Sequence, residues 1–458
     1  MVRGLFSAYT QVGQHKLRAD AGFATGSGYT YSVIGDMDLS AATFLNSGLE
    51  WQWKGLRARA WWYALRTDFD LNMDLYHPST GIELARIPPF SLAGDTAQLE
   101  VEYEHSFWDE RLLLMAGADG RGTWYRSSQL VDPRVEEYRL GVFLHGELQP
   151  LEWLRLTLGG RFDYNTVTPP AFSPRGALVF DLGSGQTLRL SAGTAFRKPT
   201  LLETSSNFRI EADPAFADEM RYLFEEKGIS NPALDNEELT GFELGWRGDF
   251  LDRRLRATFD VYFNMNRKWV NFVNDIRFRP PPFQMQIDLQ NSRIGYENSG
   301  ADYNLLGVHG SLQFEPSDDL SLFVRGEWRH EWRISGDGAE VQAAPWQVAA
   351  GGTWKLPFES VLDIAVAHVA ARKDYVVDPK SALLPVIWTA LPPVTILMAS
   401  WRYELNLSAG RLELGISVFN PFGGRFREKA GVVDARGANF GGELLGRSVM
   451  LTARWKAD

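Results

Sequence analysis

The sequence has no cysteine and no long hydrophobic run. With no cysteine among its 458 residues, the chain has no disulfide framework and no thiol chemistry. It also lacks any run of about eighteen apolar residues, which excludes membrane-spanning helices. Its formal net charge is −10, and an acidic balance argues against nucleic acid as a partner.

The sequence does contain a regular succession of segments, each about ten residues long, in which apolar and polar residues alternate. The breaks between these segments are short and long in turn. The short breaks fall at residues 12–16, 54–55, 107–111, 148–154, 182–186, 250–254, 315–320, 356–360 and 407–411. The long breaks include residues 26–41, 68–94, 197–238, 270–298, 372–391 and 420–445. Loops sorted by length in this way are typical of a transmembrane β-barrel, whose tight turns face the periplasm and whose long loops face outside.

Each segment also divides its residues between two faces. In residues 254–264 one face is apolar, whereas the other carries charged and hydroxyl side chains. Period-two alternation of this kind places one face against water and the other against an apolar medium. Because the polar faces are rich in arginine and glutamate, we predict a wet lumen and a lipid-facing exterior. The side chains expected to face lipid include Leu255, Phe259, Leu322, Leu414 and Leu451, and those expected in the lumen include Arg256, Arg325 and Glu413.

These patterns predict an all-β fold, in which residues 1–458 form a single large antiparallel transmembrane β-barrel domain. The 43 glycines, 16 tryptophans, 15 tyrosines and 28 phenylalanines suit tightly turning strands with aromatic girdles at both membrane interfaces. About nineteen strands are recognisable, whereas bacterial single-chain barrels have even numbers. We therefore expect the edges near residues 2–10 and 449–455 to be unpaired or joined imperfectly.

Residues 173–180 (SPRGALVF) and 186–200 (QTLRLSAGTAFRKPT) form two successive segments that are followed by residues 231–237 (NPALDNE). The first two segments are similar to a strand pair that enters a large extracellular loop in the barrel of TonB-dependent outer-membrane receptors, and the third is similar to the element that closes this loop. Residues 296–300 (YENSG), 417–422 (SVFNPF) and 446–455 (GRSVMLTARW) resemble later elements of the same barrel, in the same order.

The resemblance implies an outer-membrane receptor of a Gram-negative bacterium, without enzymatic activity or a cofactor. Its function would be TonB-coupled uptake of a large scarce solute such as a siderophore–iron complex, haem or a corrinoid. The implied partners are outer-membrane lipid, the TonB complex and the solute itself, and a monomer is expected. A passive channel of the porin type and a surface docking protein remain open as alternatives.

We expect this sequence to contain neither the family's plug domain nor a signal peptide. A family barrel of about 22 strands leads us to expect that the plug and roughly the first three strands are missing. By itself the chain would then keep residual ligand binding at most, without coupled transport, because TonB acts through the plug.

Ligand contacts are expected in the two longest loops. Residues 200–237 carry Phe208, Tyr222 and Phe224, and the next long loop carries Trp269, Phe272 and Phe278. Aromatic rings above a barrel mouth suit flat or conjugated ligands, although loop packing would use the same residues. The seven histidines show no metal-ligand spacing, so no metal site is predicted.

Overall fold

The structure is a computed structural model. It describes residues 2–32, 35–72, 75–76, 82–280, 286–298, 302–335, 344–377, 386–407, 410–421, 426–427, 432–433, 439–440 and 444–456.

The main feature is one sheet of 19 strands, which confirms the strand count predicted from the sequence. Each strand pairs antiparallel with the next one along the chain. The strands are β1 (Val2–Val12), β2 (His15–Ser32), β3 (Gly35–Trp53), β4 (Leu56–Asn72), β5 (Phe90–Phe107), β6 (Leu112–Arg126), β7 (Arg134–Leu151), β8 (Leu154–Asn165), β9 (Ala171–Gly183), β10 (Gln186–Arg197), β11 (Glu237–Phe250), β12 (Leu255–Arg267), β13 (Asp302–Ser317), β14 (Leu320–Ser335), β15 (Trp346–Leu356), β16 (Ser360–Val369), β17 (Val394–Leu407), β18 (Gly410–Phe419) and β19 (Ser448–Lys456).

The connections at the two rims of the sheet differ in length, as the sequence predicts. At the short-turn rim, strands are joined by tight turns such as 13–14, 54–55 and 184–185. Gly185 has a φ of 75°, and a Cβ there would lie 3.0 Å from the carbonyl oxygen of Asp249, so the turn needs glycine. The opposite, long-loop rim carries the extended connections.

The long-loop rim contains additional short elements. The helices are α1 (Leu201–Ser205) and α2 (Ala217–Arg221), and α2 continues into a π-helical turn at Tyr222–Glu226. The short strands are Leu75–Tyr76, Glu83–Arg86, Glu211–Ala212, Val270–Asp275, Arg293–Asn298, Arg372–Val377, Val386–Leu391, Phe426–Arg427, Val432–Val433, Asn439–Phe440 and Leu444–Leu445. Among the described residues, no helix has the length and apolar character needed to cross a membrane.

One predicted long loop, residues 26–41, is instead a continuation of two strands. The β2–β3 ladder runs on to the pair Ser32 and Gly35, with one register shift between Gly26 and Gly28. The prediction was wrong because glycine and serine interrupt the hydrophobic alternation there. Beyond the membrane both faces of a hairpin are wet, so its backbone pairing no longer requires that alternation.

The two edges of the sheet are open. In the part of the chain that the structure describes, β1 pairs only with β2 and β19 only with β18. Side chains on these edge strands are strongly exposed, for example Leu5 at 75% and Leu451 at 77%. The expectation of unpaired edges is therefore confirmed for this chain. In lipid each unpaired backbone group costs several kcal/mol.

The two faces of the sheet have opposite character. Phe259, Leu322 and Leu414 lie exposed on the apolar face. On the polar face the guanidinium of Arg325 lies 5.7 Å from the Phe323 ring centroid. Because apolar side chains are unfavourable in water, the apolar face is the one that meets lipid, and the polar face lines the lumen.

Candidate functional site

Four long connections fold together above the long-loop rim, and we call them the cap: residues 82–89, 127–133, 198–236 and 268–298 in their described parts. The cap encloses most of the buried apolar cluster of the molecule. Its members are Leu84, Ala85, Ile87, Leu130, Leu201, Phe208, Ile210, Phe216, Met220, Leu223, Phe224, Ile229, Leu234, Val270, Ile276, Ile287, Ile294 and Tyr296, together with Val135 of β7. The cap is thus a packed unit with its own hydrophobic core.

The aromatic residues predicted as ligand contacts occupy different places in this cap. Phe208 and Phe224 are buried in its core, and Phe272 and Phe278 are partly buried against it. Tyr222 is exposed.

Trp269 is exposed as well, and its ring packs edge-on against Tyr303 at a centroid distance of 5.9 Å. Burial gives Phe208 and Phe224 a packing role in this arrangement. Tyr222 and Trp269 retain surface for a ligand, and contact between the predicted rings and a ligand stays a prediction.

Ion pairs and a capped helix connect the cap to the barrel wall. Arg197, at the end of β10, lies 2.5 Å from Glu237 and 3.0 Å from Glu203. Glu203 in turn accepts a hydrogen bond from the backbone N–H of Thr200, whose hydroxyl accepts one from the N–H of Glu203. This reciprocal cap fixes the start of α1 and sets the direction in which the long loop leaves the wall.

A second connection joins the two longest loops to each other. The backbone N–H of Tyr296 donates to the carbonyl of Ile229 at 2.9 Å, and Asn231 donates to the carbonyl of Tyr296 at 3.1 Å. A Cβ on Gly295, which has a φ of 130°, would lie 2.7 Å from the Ile229 oxygen. Burial raises the pKa of Tyr296, so its phenol stays neutral inside the cap core.

The lumen wall contains an aromatic and cationic patch that sequence reasoning missed. We call it the arginine–tryptophan patch: Trp61, Tyr63, Arg121 and Arg139. Trp61 and Tyr63 stack with centroids 5.7 Å apart, and the Arg121 guanidinium lies 5.2 Å from the Trp61 ring. Both rings are on the polar face of β4, which also carries Arg57 and Arg59.

The two arginines of this patch face each other across a strand pair. Arg121 of β6 is the direct ladder partner of Arg139 in β7. Arg121 donates to the side chain of Gln98 at 2.7 Å, and the buried Nε of Arg139 has no hydrogen-bond partner. Among the described residues, neither arginine forms an ion pair with a carboxylate. Like charges directly opposite one another are unfavourable, so this pair is suited to an anion.

Further round the same wall, β7 to β13 line a recess of about 900 Å³. Its polar lining includes His145, Arg175, Glu243, Asp260 and His309. Glycines at positions 193 and 241 leave it room. Within the described ranges, no group of His, Cys, Asp and Glu side chains is arranged to hold a metal ion.

The patch was missed because it depends on strand register. Alternation alone places Trp61 and Tyr63 on the same side of β4 as its charged residues. Aromatic residues at positions that face the lumen were the one signal of the patch in the sequence. The juxtaposition of Arg121 with Arg139 follows only from the register of β6 against β7.

Residues 3–420 match the family model described as TonB dependent receptor-like, beta-barrel. The chain therefore belongs to the TonB-dependent receptor family, as its sequence motifs indicated. No curated protein sequence matches the chain. Members of the family are transporters and not enzymes, and they are outer-membrane proteins of Gram-negative bacteria.

Solved structures show the same fold at low sequence identity. A mutant of the ferric enterobactin receptor from Pseudomonas aeruginosa, in complex with enterobactin, has a TM-score of 0.69 at 16% identity, over 98% of this chain and 69% of that one. The siderophore receptor PirA from Acinetobacter baumannii gives 0.66 at 10% identity, with 98% and 70% covered.

The copper transporter OprC gives a TM-score of 0.69 at 17% identity, with 98% of this chain and 71% of that one covered. The sheet thus has the fold of the large β-barrels in these structures, with its short turns at one rim and its long connections, including the cap, at the other.

Proposed function

We propose that this chain forms the barrel of an outer-membrane receptor that takes up a large, scarce and anionic solute in a TonB-coupled manner. The solute class that fits best is a siderophore–metal chelate with aromatic groups. Neighbouring structures include siderophore receptors and complexes with enterobactin, and these support the class without identifying the solute.

The observation that carries the proposal is the arginine–tryptophan patch. Arg121 and Arg139 form an opposed cationic pair that has no carboxylate partner among the described residues, beside the stacked rings of Trp61 and Tyr63. Guanidinium groups bind oxyanions by charge-assisted hydrogen bonds, and aromatic faces accept flat conjugated groups. A negatively charged aromatic chelate satisfies both requirements, whereas a small neutral solute would satisfy neither.

In this proposal the cap supplies the first contacts. Tyr222 and Trp269 are the predicted residues whose rings remain exposed, so they are the candidates for capture of the solute before it reaches the patch. Outer-membrane lipid surrounds the wall, TonB supplies the energy, and the receptor acts as a monomer.

Equilibrium binding tests the proposal. The probes are ferric enterobactin, which is anionic and catecholate, and a positively charged hydroxamate chelate of iron. We expect the purified protein to bind the anionic probe at least tenfold more tightly, and Arg121→Gln with Arg139→Gln to abolish that preference.

The matched control is Arg189→Gln, which removes an arginine of the same wall that already pairs with Glu243. This control should leave the preference unchanged. Equal binding of both probes by the unmodified protein, or an unaffected double variant, would contradict the assignment of the patch.

A further inference from the structure

The outer surface of β4 to β7 carries a groove on the lipid side of the wall, and we call it the first groove. It has a volume of about 770 Å³. Small residues at Ala60, Ala97, Gly120 and Gly122 form its floor, and Leu140 contributes to its side. These positions lie on the apolar face, so the groove opens toward lipid hydrocarbon.

Above this groove three arginines stand in one row across neighbouring strands. Arg66 of β4 pairs in the ladder with Ala93, Ala93 with Arg126, and Arg126 with Arg134. Their positions have the same parity as the groove residues, for example Gly120 and Arg126 on β6. The row therefore lies on the lipid side of the wall, toward the extracellular rim.

Two members of the row are neutralised and the central one is not. The Nη2 atom of Arg66 donates to both carboxylate oxygens of Asp95 at 3.0 Å, and Arg134 lies 3.4 Å from Glu136. Arg126 is exposed, and it has no hydrogen-bond or ion-pair partner within the described part of the chain. One unpaired guanidinium thus stands between two ion pairs.

The level of this row matches the membrane surface. Asp95 and Glu136 lie on the same face, two residues along their strands from the level of the arginine row and nearer the membrane. Charged groups on a lipid face belong outside the hydrocarbon, so this level lies at the membrane surface. At that level the Trp124 indole N–H donates to the Tyr138 hydroxyl at 3.2 Å, as in an interfacial aromatic girdle.

On β6 the residues of this face between Trp124 and the end of the strand at Leu112 are apolar. That length of strand, at about 3.3 Å per residue and a tilt of about 45°, gives an apolar band about 28 Å deep. This depth agrees with the hydrocarbon band of roughly 25 Å on outer-membrane barrels.

We propose that the first groove and Arg126 together bind one phosphate-bearing lipid of the outer leaflet. An acyl chain lies in the groove, and the phosphate lies against Arg126. Arg126 follows Gly122 by four residues on the same strand, which is about 13 Å along the strand. Apolar burial supplies the tail contact, and the guanidinium supplies a charge-assisted contact to the phosphate.

A second groove on the same face provides the matched control. It has a volume of about 660 Å³ and is formed around Leu158, Gly176, Leu190 and Phe242. Two basic residues above it are already paired, Lys268 with Glu238 at 2.9 Å and Arg267 with Asp302 at 3.8 Å. An apolar groove without a free cation should hold a tail but should not select for phosphate.

The experiment measures lipid binding to the purified protein in detergent by native mass spectrometry. Phosphatidic acid is compared with diacylglycerol of identical chains and with inorganic phosphate alone. We expect phosphatidic acid to bind at least tenfold more tightly than diacylglycerol. Inorganic phosphate at millimolar concentration should not displace it.

Three variants at the first groove and one control variant at the second assign the site. Arg126→Gln and Gly120→Leu should each weaken phosphatidic acid binding about tenfold, and Arg126→Lys should recover part of the loss. A Cβ at Gly120 would approach only Leu140, at 3.4 Å, so leucine fills the groove without a backbone clash. Gly176→Leu, in the second groove, should change binding less than twofold.

Heat-modifiable gel migration and circular dichroism confirm that each variant is folded. The inference is overturned if Arg126→Gln binds phosphatidic acid as the unmodified protein does, or if diacylglycerol binds equally well. Displacement by inorganic phosphate would likewise reject a lipid site, and an equal loss in Gly176→Leu would reject this groove.

Discussion

The cap and the barrel wall use apolar residues in opposite ways. In the cap, Phe224 and Leu223 are fully buried and close neighbours such as Tyr222 remain outside. In the wall, Val142 and Leu144 are exposed, while polar side chains face the lumen. The contrast shows that the surrounding medium, and not the chain, decides which face an apolar residue takes. The cap folds in water and buries its apolar core, whereas the wall is solvated by lipid and turns its apolar face outward.

The largest expected effect comes from opening the cap core. Phe224→Ala removes a fully buried ring, which should cost about 3–5 kcal/mol of local stability. Hydrogen exchange should report faster exchange across the cap and unchanged protection in the wall. Tyr222→Ala, at an exposed position two residues away, should change exchange by no more than about 0.5 kcal/mol. If both variants loosened the wall equally, the cap would not be a separate packed unit.

A charge placed on the lipid side of the wall should have the next largest effect. Val142→Arg lies near the middle of the apolar band and should destabilise the barrel by about 2–4 kcal/mol in lipid. Ala177→Arg, which points into the recess of the lumen, is the control and should cost much less. Urea unfolding in bilayers measures both. Equal losses would mean that the two faces have been assigned wrongly.

Breaking the ion pair that connects the cap to the wall should have an intermediate effect on stability. Arg197→Gln leaves the buried carboxylate of Glu237 without its cation, which should cost about 1–3 kcal/mol. Arg189→Gln breaks a more exposed pair with Glu243 and should cost about 0–1 kcal/mol. Limited proteolysis within residues 198–236 distinguishes the two, and indistinguishable rates would remove the anchoring role of Arg197.

The smallest effect concerns acid sensitivity of the cap. Hydrogen bonds from Arg277 hold the pKa of Asp275 below its usual value. A carboxyl with a lowered folded pKa contributes stability that is present above its unfolded pKa of about 3.9 and is lost as the pH falls through the folded pKa. Asp275→Asn should remove this part of the acid sensitivity, measured by cap proteolysis between pH 5 and 3. An unchanged pH profile in the variant would show that the pair of Arg277 and Asp275 does not contribute to the acid sensitivity of the cap.

Much of the wall was predictable from the sequence because the alternation of apolar and polar residues within a single barrel strand shows which face meets lipid and which meets water. Alternation at Leu322 and Arg325 identifies the two faces, and the lengths of successive connections identify the two rims. The hairpin at residues 26–41 was not predictable in this way, since its pairing lies where neither face needs to be apolar.

The candidate site was less predictable because it depends on distant contacts. Phe208 and Tyr222 have the same aromatic character in the sequence, yet one is buried and the other exposed. The arginine–tryptophan patch assembles from separate strands, and only the register brings Arg121 opposite Arg139. Aromatic composition predicts that rings are available at the mouth, but packing decides which of them a ligand can reach.

Uptake of radioactive ferric enterobactin by cells that produce this barrel joined to a plug domain of the family, which coupled transport needs, tests the central claim most directly. The assay compares cells with and without TonB, and the unmodified protein with the variant carrying Arg121→Gln and Arg139→Gln. We expect uptake that requires TonB and that falls at least tenfold in the double variant. Uptake that continues without TonB, at the same rate in both proteins, would indicate a passive channel and would contradict the receptor assignment.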